Sequence, residues 1–162
     1  MPVLDSTPTR AGFLLFIRDI MGVPDDVLPD ESLYIDVAYE ISLEIVNMQL
    51  TCVAPKIYTQ CVYNLGGSTL LNIAQDLPDA DKVPGSGEPG LAYFAYVRQQ
   101  YNMNGFVSGV IQSASDEGTS ESMVVQEAAK DFTLANLQQL KDPYGRQYLA
   151  YAQSMGPLWG LS

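Results

Sequence analysis

Val53-Ala54-Pro55-Lys56-Ile57-Tyr58-Thr59-Gln60-Cys61-Val62-Tyr63-Asn64-Leu65-Gly66-Gly67-Ser68-Thr69-Leu70-Leu71-Asn72-Ile73-Ala74-Gln75-Asp76 is the stretch on which the fold turns. Ile57, Tyr58, Cys61, Val62 and Leu65 recur at three- and four-residue spacing, the period of one helical face. Pro55 fits a first turn, where its missing N–H costs nothing. The pattern predicts a helix over 53–76. Gly66-Gly67 interrupts it at about 1 kcal/mol per Gly relative to Ala, so the pair permits a close helix approach or makes a kink. Gly66-Gly67-Ser68-Thr69 resembles a phosphate loop only superficially, because no Lys follows and no strand precedes. A helix-packing role is the better reading.

Working outward, 7–21 reads as a helix capped by Thr7, with Pro8 in its first turn and Gly22 and Pro24 ending it. Phe13, Leu14, Ile17, Ile20 and Met21 mark its inner face. A second helix is expected from Asp30 to Met48, its first acids suiting the positive end of the dipole. Leu33, Val37, Ala38, Ile41 and Ile45 read as its core stripe, with Asp36, Glu40 and Glu44 along another face. Residues 77–90 are a loop by composition, including Gly85-Ser86-Gly87-Glu88-Pro89-Gly90. A fourth helix is expected near 89–102, carrying Leu91, Phe94, Val97, Arg98 and Tyr101. Thr133 caps a short helix with Leu134, Leu137 and Leu140. Asp142-Pro143 restarts another by the same cap-then-proline logic, lined by Tyr144, Tyr148, Leu149, Ala152 and Met155 and stopped by Gly156-Pro157. The expected fold class is all-α, a small bundle of about five to six helices treated as one domain over 1–162.

Residues 104–130 break the helical pattern. Apolar residues stand at both ends of this stretch, Phe106, Val107, Val110 and Ile111 before and Met123, Val124 and Val125 after, with the turn signal Asp116-Glu117-Gly118 near its middle. An extended β-hairpin-like arm is expected, packing on a neighbouring subunit, because strand edges readily pair with another chain. A disordered surface loop is the bland alternative.

The 19 acidic and 8 basic residues give a net charge of −11, which argues against binding nucleic acid through its phosphates. Acidic walls would instead let DNA pass without adhering. Only 17% of residues are charged and 47% are apolar, which fits a surface largely covered in an assembly. An acidic soluble monomer is the alternative. Cys52 and Cys61 would lie about 13.5 Å apart on a continuous helix, too far for a bridge needing about 7 Å, so both are expected as free buried thiols. Leu14-Leu15-Phe16-Ile17 is too short for a signal peptide, and no stretch approaches the ~20 apolar residues of a membrane span. Synthesis in a cytoplasm, with no membrane partner, is expected.

The chain has no histidine. That removes histidine-based triads and general bases, and two cysteines cannot complete a structural zinc site. Asp25, Asp26, Asp30 and Glu31 lack the alternation and glycine of a calcium loop, so caps and solvation explain them better. Adjacent Asp116 and Glu117 point apart at a turn and make a poor acid–base pair. Tyr144, Tyr148 and Tyr151 read as half-buried helix and interface residues. The expectation is no enzyme, no cofactor and no metal. A metal-dependent activity lost on replacing Asp25 and Asp26 would revive the enzyme class.

The last third, with Ser115-Asp116-Glu117-Gly118-Thr119-Ser120, then Phe132-Thr133-Leu134-Ala135-Asn136-Leu137, then Pro143-Tyr144-Gly145-Arg146-Gln147-Tyr148-Leu149 and Leu158-Trp159-Gly160, resembles the small head-to-tail connector proteins of tailed bacteriophages. These are the adaptor, head-completion or neck proteins. The resemblance extends over most of the chain in element order and over 104–162 in wording. It implies a virion protein forming a homo-oligomeric ring, twelve-fold, beneath the portal protein. Stopper or tail proteins dock below, and double-stranded DNA is only passing cargo. The competing class is an acidic helical regulatory or assembly-chaperone protein that binds a partner transiently.

Three sets of site residues follow. Phe106, Val107, Val110, Ile111, Asp116, Glu117, Gly118, Met123, Val124 and Val125 form the inter-subunit arm. Tyr148, Tyr151, Met155, Leu158, Trp159 and Leu161 form a portal-binding tail that emerges as an extended segment over 156–162. It holds the single tryptophan, a residue enriched in binding hot spots; a tail folded back on its own bundle is the alternative. Asp36, Glu40 and Glu44, or else Asp79 and Asp81, are candidates to face a DNA channel, although an ordinary solvated face looks the same.

Overall fold

Thr9, rather than Thr7, starts the first helix. Its side chain accepts the Gly12 amide at 3.0 Å from an extended backbone, φ −132° and ψ 154°. The helix begins two residues later than Thr7-Pro8, where the Thr9 side chain finds the Gly12 amide. The computed structural model describes residues 6–76, 92–104, 114–116, 119–121 and 138–155. Helix α1 (Arg10–Leu15) widens into a π-turn over Phe16–Ile20, where the Met21 amide reaches the Phe16 carbonyl five residues back. Gly22 closes it at φ +68°, a left-handed conformation that glycine adopts without strain. Phe13, Phe16 and Ile17 are buried, whereas Ile20, expected on the inner face, is exposed.

Helix α2 runs Leu33–Ile45, shorter than the expected 30–48. Asp30 does not serve the helix dipole, because Arg18 binds its carboxylate and Arg10 its carbonyl oxygen. Arg18 also donates to the Val23 and Leu28 carbonyls, which ties the 23–30 connector to α1. A single turn, α3 (Leu50–Val53), precedes α4 (Pro55–Ile73). Ala54, at φ −148° and ψ 70°, separates them, and Pro55 takes the first position of α4 as expected.

Helix α4 is the centre of the body. Every residue from Cys61 to Ser68 is buried, which is the property of a helix covered on all sides. It packs on α2 and on α6 (Pro143–Met155), and also touches α3 and α5 (Tyr93–Gln100). Its buried polar side chains are satisfied: Thr59 donates to the Pro55 carbonyl at 3.2 Å, and Asn64 to the Gln60 carbonyl at 2.8 Å. Helix α4 continues through Gly66-Gly67, so the glycines serve approach. A Cβ on Gly66 would lie 2.8 Å from the Phe13 ring and 3.2 Å from the Ser42 hydroxyl, and one on Gly67 would lie 3.0 Å from Met21 sulfur.

That close approach decides which face of α2 is buried. Ile35, Ala38 and Ser42 turn inward, and Ser42 keeps its hydroxyl satisfied on the Tyr39 carbonyl at 2.7 Å. Leu33, Ile41 and Ile45, expected in the core, are exposed. Small side chains sit opposite Gly66 where larger ones would hold the helices apart.

An aromatic cluster of Phe13, Phe16, Tyr39, Tyr63 and Tyr144 links α1, α2, α4 and α6, with ring centroids 5.7 to 6.4 Å apart. The Tyr63 hydroxyl accepts the Thr9 amide at 3.0 Å, joining the start of α1 to mid-α4. Helices α4 and α5 terminate each other. Asp76, just past α4, accepts the Phe94 and Ala95 amides at 2.7 and 3.0 Å, and Arg98 of α5 donates to the Leu71 carbonyl at 2.7 Å and to that of Ala74. The body is therefore mostly helical, in keeping with an all-α class. Within 104–130, Ala114–Asp116 (β1) pairs antiparallel with Thr119–Glu121 (β2), Ser115 opposite Ser120. The remainder of the expected arm from 105 onward and the tail from 156 lie outside the described residues, as do the loop 77–91 and the expected short helix up to 137.

Candidate functional site

The C-terminal helix that was expected to deliver the tail is built on one buried carboxylate. Asp142 is fully buried and caps α6, accepting the Tyr144 and Gly145 amides at 3.0 and 2.8 Å on one oxygen. Its other oxygen accepts the Ser68 hydroxyl of α4 at 2.7 Å. Burial pushes the Asp142 pKa above its ordinary value, while the bonds from Gly145, Ser68 and Tyr144 pull it back down. The cap was readable from Asp142-Pro143; its partner Ser68 is 74 residues away and left no local signal. Gly145 has no room for a side chain, because a Cβ would stand 2.2 Å from the Gln139 carbonyl oxygen.

Within α6, Tyr148 is buried against the core together with Leu149 and Ala152. Tyr148, named with the portal-binding set, is thus a core residue of this helix. Tyr151 and Met155 are partly buried and pack on the same core, leaving part of each accessible beside the helix end. Leu158, Trp159 and Leu161 lie outside the described residues. So do Phe106, Val107, Val110, Ile111, Glu117, Gly118, Met123, Val124 and Val125 of the arm, while Asp116 ends β1 opposite Thr119.

The candidate channel acids separate into two kinds. Asp36 is half-exposed and ion-paired with Arg10, whose guanidinium also donates to the Asp30 carbonyl at 2.8 Å. The hydrogen bond to the Asp36 carboxylate raises the Arg10 pKa above its ordinary value. Asp36 thus brackets α1 to α2 while its side chain stays partly exposed. Glu40 and Glu44 are exposed on α2 and have no ion-pair partner among the described residues. Asp79 and Asp81 lie outside the described residues.

The two cysteines differ in exposure, and burial shifts several of the phenols. Cys61 is buried and its thiol is pushed up to about 12 by burial, whereas Cys52, expected buried, is exposed. The break at Ala54 explains the difference, since Cys52 belongs to the separate turn α3. Burial raises Tyr39, Tyr58 and Tyr93, and pushes Tyr144 up to about 12, so these phenols stay protonated near neutrality. Among the described residues no group of three His, Cys, Asp or Glu side chains could hold a metal ion. No described helix is long and apolar enough to cross a membrane.

The feature that the residue pattern concealed is the exposed row on α2. Leu33 and Ile45 are 72% and 54% exposed, and Met48 just beyond is 75% exposed. Hydrophobicity alone put these residues inside; the sizes of Ala38, Ser42 and Gly66 would have pointed to the opposite face. Comparison with family models, curated proteins and solved structures finds no match to this chain.

Proposed function

We propose that this chain is a structural virion protein, a homo-oligomeric ring subunit that joins the portal vertex of a tailed-phage head to the stopper or tail. The observation that carries the reading is the ordered likeness of 104–162 to head-to-tail connector proteins, set on a helical body. Two physical points support it. A net charge of −11 suits a wall past which DNA slides, because like charges repel. Helix α6 is locked to α4 by a buried cap, a rigid base from which the segment beyond Met155 can be aimed at a partner.

In this reading the subunit is not a catalyst. The arm 104–130 contacts the next subunit, Trp159 with Leu158 and Leu161 anchors the ring to the portal, and Glu40 and Glu44 are the open acids. The ring is a dodecamer assembled from protein made in the host cytoplasm. Size-exclusion chromatography with light scattering, with and without portal protein, tests the proposal directly. A ring-sized species that co-elutes with portal is expected; a monomer that ignores portal favours a transient regulatory or chaperone-like binder.

Two deletions locate the contacts. Removing 108–123 should leave a folded helical monomer that no longer forms rings, and normal assembly would exclude the arm. Truncation after Met155 should leave thermal stability unchanged while portal binding is lost. A drop in the stability of the isolated subunit would instead place the tail on its own bundle.

A further inference from the structure

The outer face of α2 carries two parallel rows at four-residue spacing. One is apolar: Leu33, Val37, Ile41 and Ile45. The other is acidic: Asp36, Glu40 and Glu44, each three residues after an apolar one and therefore beside it on the helix surface. Leu33, Ile41 and Ile45 are exposed, 39% at the least, and Met48 extends the row past the helix end. Apolar residues exposed contiguously with a charged border mark interaction surfaces rather than ordinary solvent-facing helix. Two ridges with a groove between them are also what a second helix packs into.

We propose that this face docks a basic amphipathic helix of a different protein, its apolar row beside Leu33, Ile41 and Ile45 and its Lys or Arg row against Glu40 and Glu44. Charge complementarity selects the occupant. A second copy of this chain offers few free cations. Six of the eight basic residues are described, and five of those are engaged internally. Arg10 and Arg18 hold Asp36 and Asp30, Arg98 holds the end of α4, Lys141 holds the Met103 carbonyl, and Arg146 is directed at the Leu140 and Lys141 carbonyls. Two copies meeting through this face would set acidic rows against each other in a chain already at −11. The inference does not rest on the arm or the tail of the ring reading, and it assigns Glu40 and Glu44 to a protein partner instead of to a DNA channel.

The test uses the full chain and a labelled synthetic helical peptide of about 18 residues, long enough to hold a helix, with Leu at four-residue spacing beside a row of Lys. A control peptide carries Glu in place of the Lys. Fluorescence anisotropy should show the Lys peptide binding at least ~10-fold tighter than the Glu peptide, a difference that shrinks as salt screens it. Changing Leu33, Ile41 and Ile45 to Ser should weaken binding by ~10-fold or more with an unchanged circular dichroism spectrum. Glu40→Gln with Glu44→Gln should weaken binding and flatten its salt dependence. Asp25→Asn with Asp26→Asn removes the same charge from an exposed connector and should change nothing. The proposal is overturned if that connector variant weakens binding equally, if the Ser variant binds as wild type, or if the two peptides bind alike. It is also overturned if the Ser variant changes the oligomeric state of the chain and leaves peptide affinity untouched, which would assign the face to a second copy.

Discussion

Replacing Asp142 with alanine removes three acceptor contacts at once, those to the Tyr144 and Gly145 amides and to the Ser68 hydroxyl. Loss of the helix cap costs about 1 kcal/mol, with ~2 as the upper end. Ser68 and Gly145 are buried, so the hydroxyl and amide left without partners add ~1–3 kcal/mol. Relief of the carboxylate's own burial offsets part of this, which leaves a net loss of about 2–4 kcal/mol. For a chain of this length each kcal/mol moves Tm by ~2–4 °C, so a fall of roughly 5–15 °C is expected. Urea and thermal unfolding followed by circular dichroism would measure both. Asp142→Asn keeps an acceptor for the two amides and offers an N–H to the Ser68 oxygen, so it should retain most of the stability. The pH dependence gives an independent check. A carboxyl whose folded pKa is raised contributes fully below its ordinary value, here 3.8, and loses that contribution as pH rises through the folded value. Stability of wild type minus that of Asp142→Asn should therefore fall as pH climbs from below 3.8. An alanine variant within ~0.5 kcal/mol of wild type, or an asparagine variant as damaged as alanine, would refute the idea that this node fastens α6 to α4.

Alanine at three glycines should rank by what the new methyl meets. Gly145→Ala strikes fixed backbone at 2.2 Å and should cost more than ~3 kcal/mol; Gly66→Ala meets the Phe13 ring at 2.8 Å and should cost ~1–2; Gly67→Ala meets flexible Met21 and, at 3.2 Å, the Phe16 ring, and should cost less than ~1 after the helix-propensity gain. Chemical denaturation of the three variants checks the order, and equal effects would contradict it. A disulfide reagent should titrate Cys52 quickly in native protein and Cys61 only on unfolding, because the latter is buried with its thiol pushed up to about 12. Arg98→Met removes the guanidinium that lies over Phe94 and leaves the Leu71 and Ala74 carbonyls uncapped. It should lower stability by about 1–3 kcal/mol and speed amide exchange in α5 before α2.

The parts of the fold that could be read along the chain are those set by neighbours in sequence. Asp142-Pro143 announces its helix because cap and proline act within one turn, and Pro55 marks the start of α4 for the same reason. The period of Ile57, Tyr58, Cys61, Val62 and Leu65 located α4, although its burial extends all round. What failed was decided across space. The inner face of α2 follows from the room left by Gly66, so Ala38, expected inside, is joined there by Ile35 and Ser42 rather than by Leu33, Ile41 and Ile45. Asp30 and Asp36 looked like free surface acids until Arg18 and Arg10 reached them from another helix. Of the candidate site, the rigid base of α6 was legible and the exposed row on α2 was not, since exposure depends on what a partner helix leaves uncovered.

The mutual termination of α4 and α5 bears on how this chain can change over generations. Asp76 and Arg98 fasten the two helices to each other directly, through hydrogen bonds that do not pass along the connection 77–91. Closing a longer connection costs little, about 0.6 kcal/mol for each doubling of length. Insertions and deletions there can accumulate without moving α5 on α4. The joint is therefore carried by two side chains, and a change in the length of the linker would leave their contacts available.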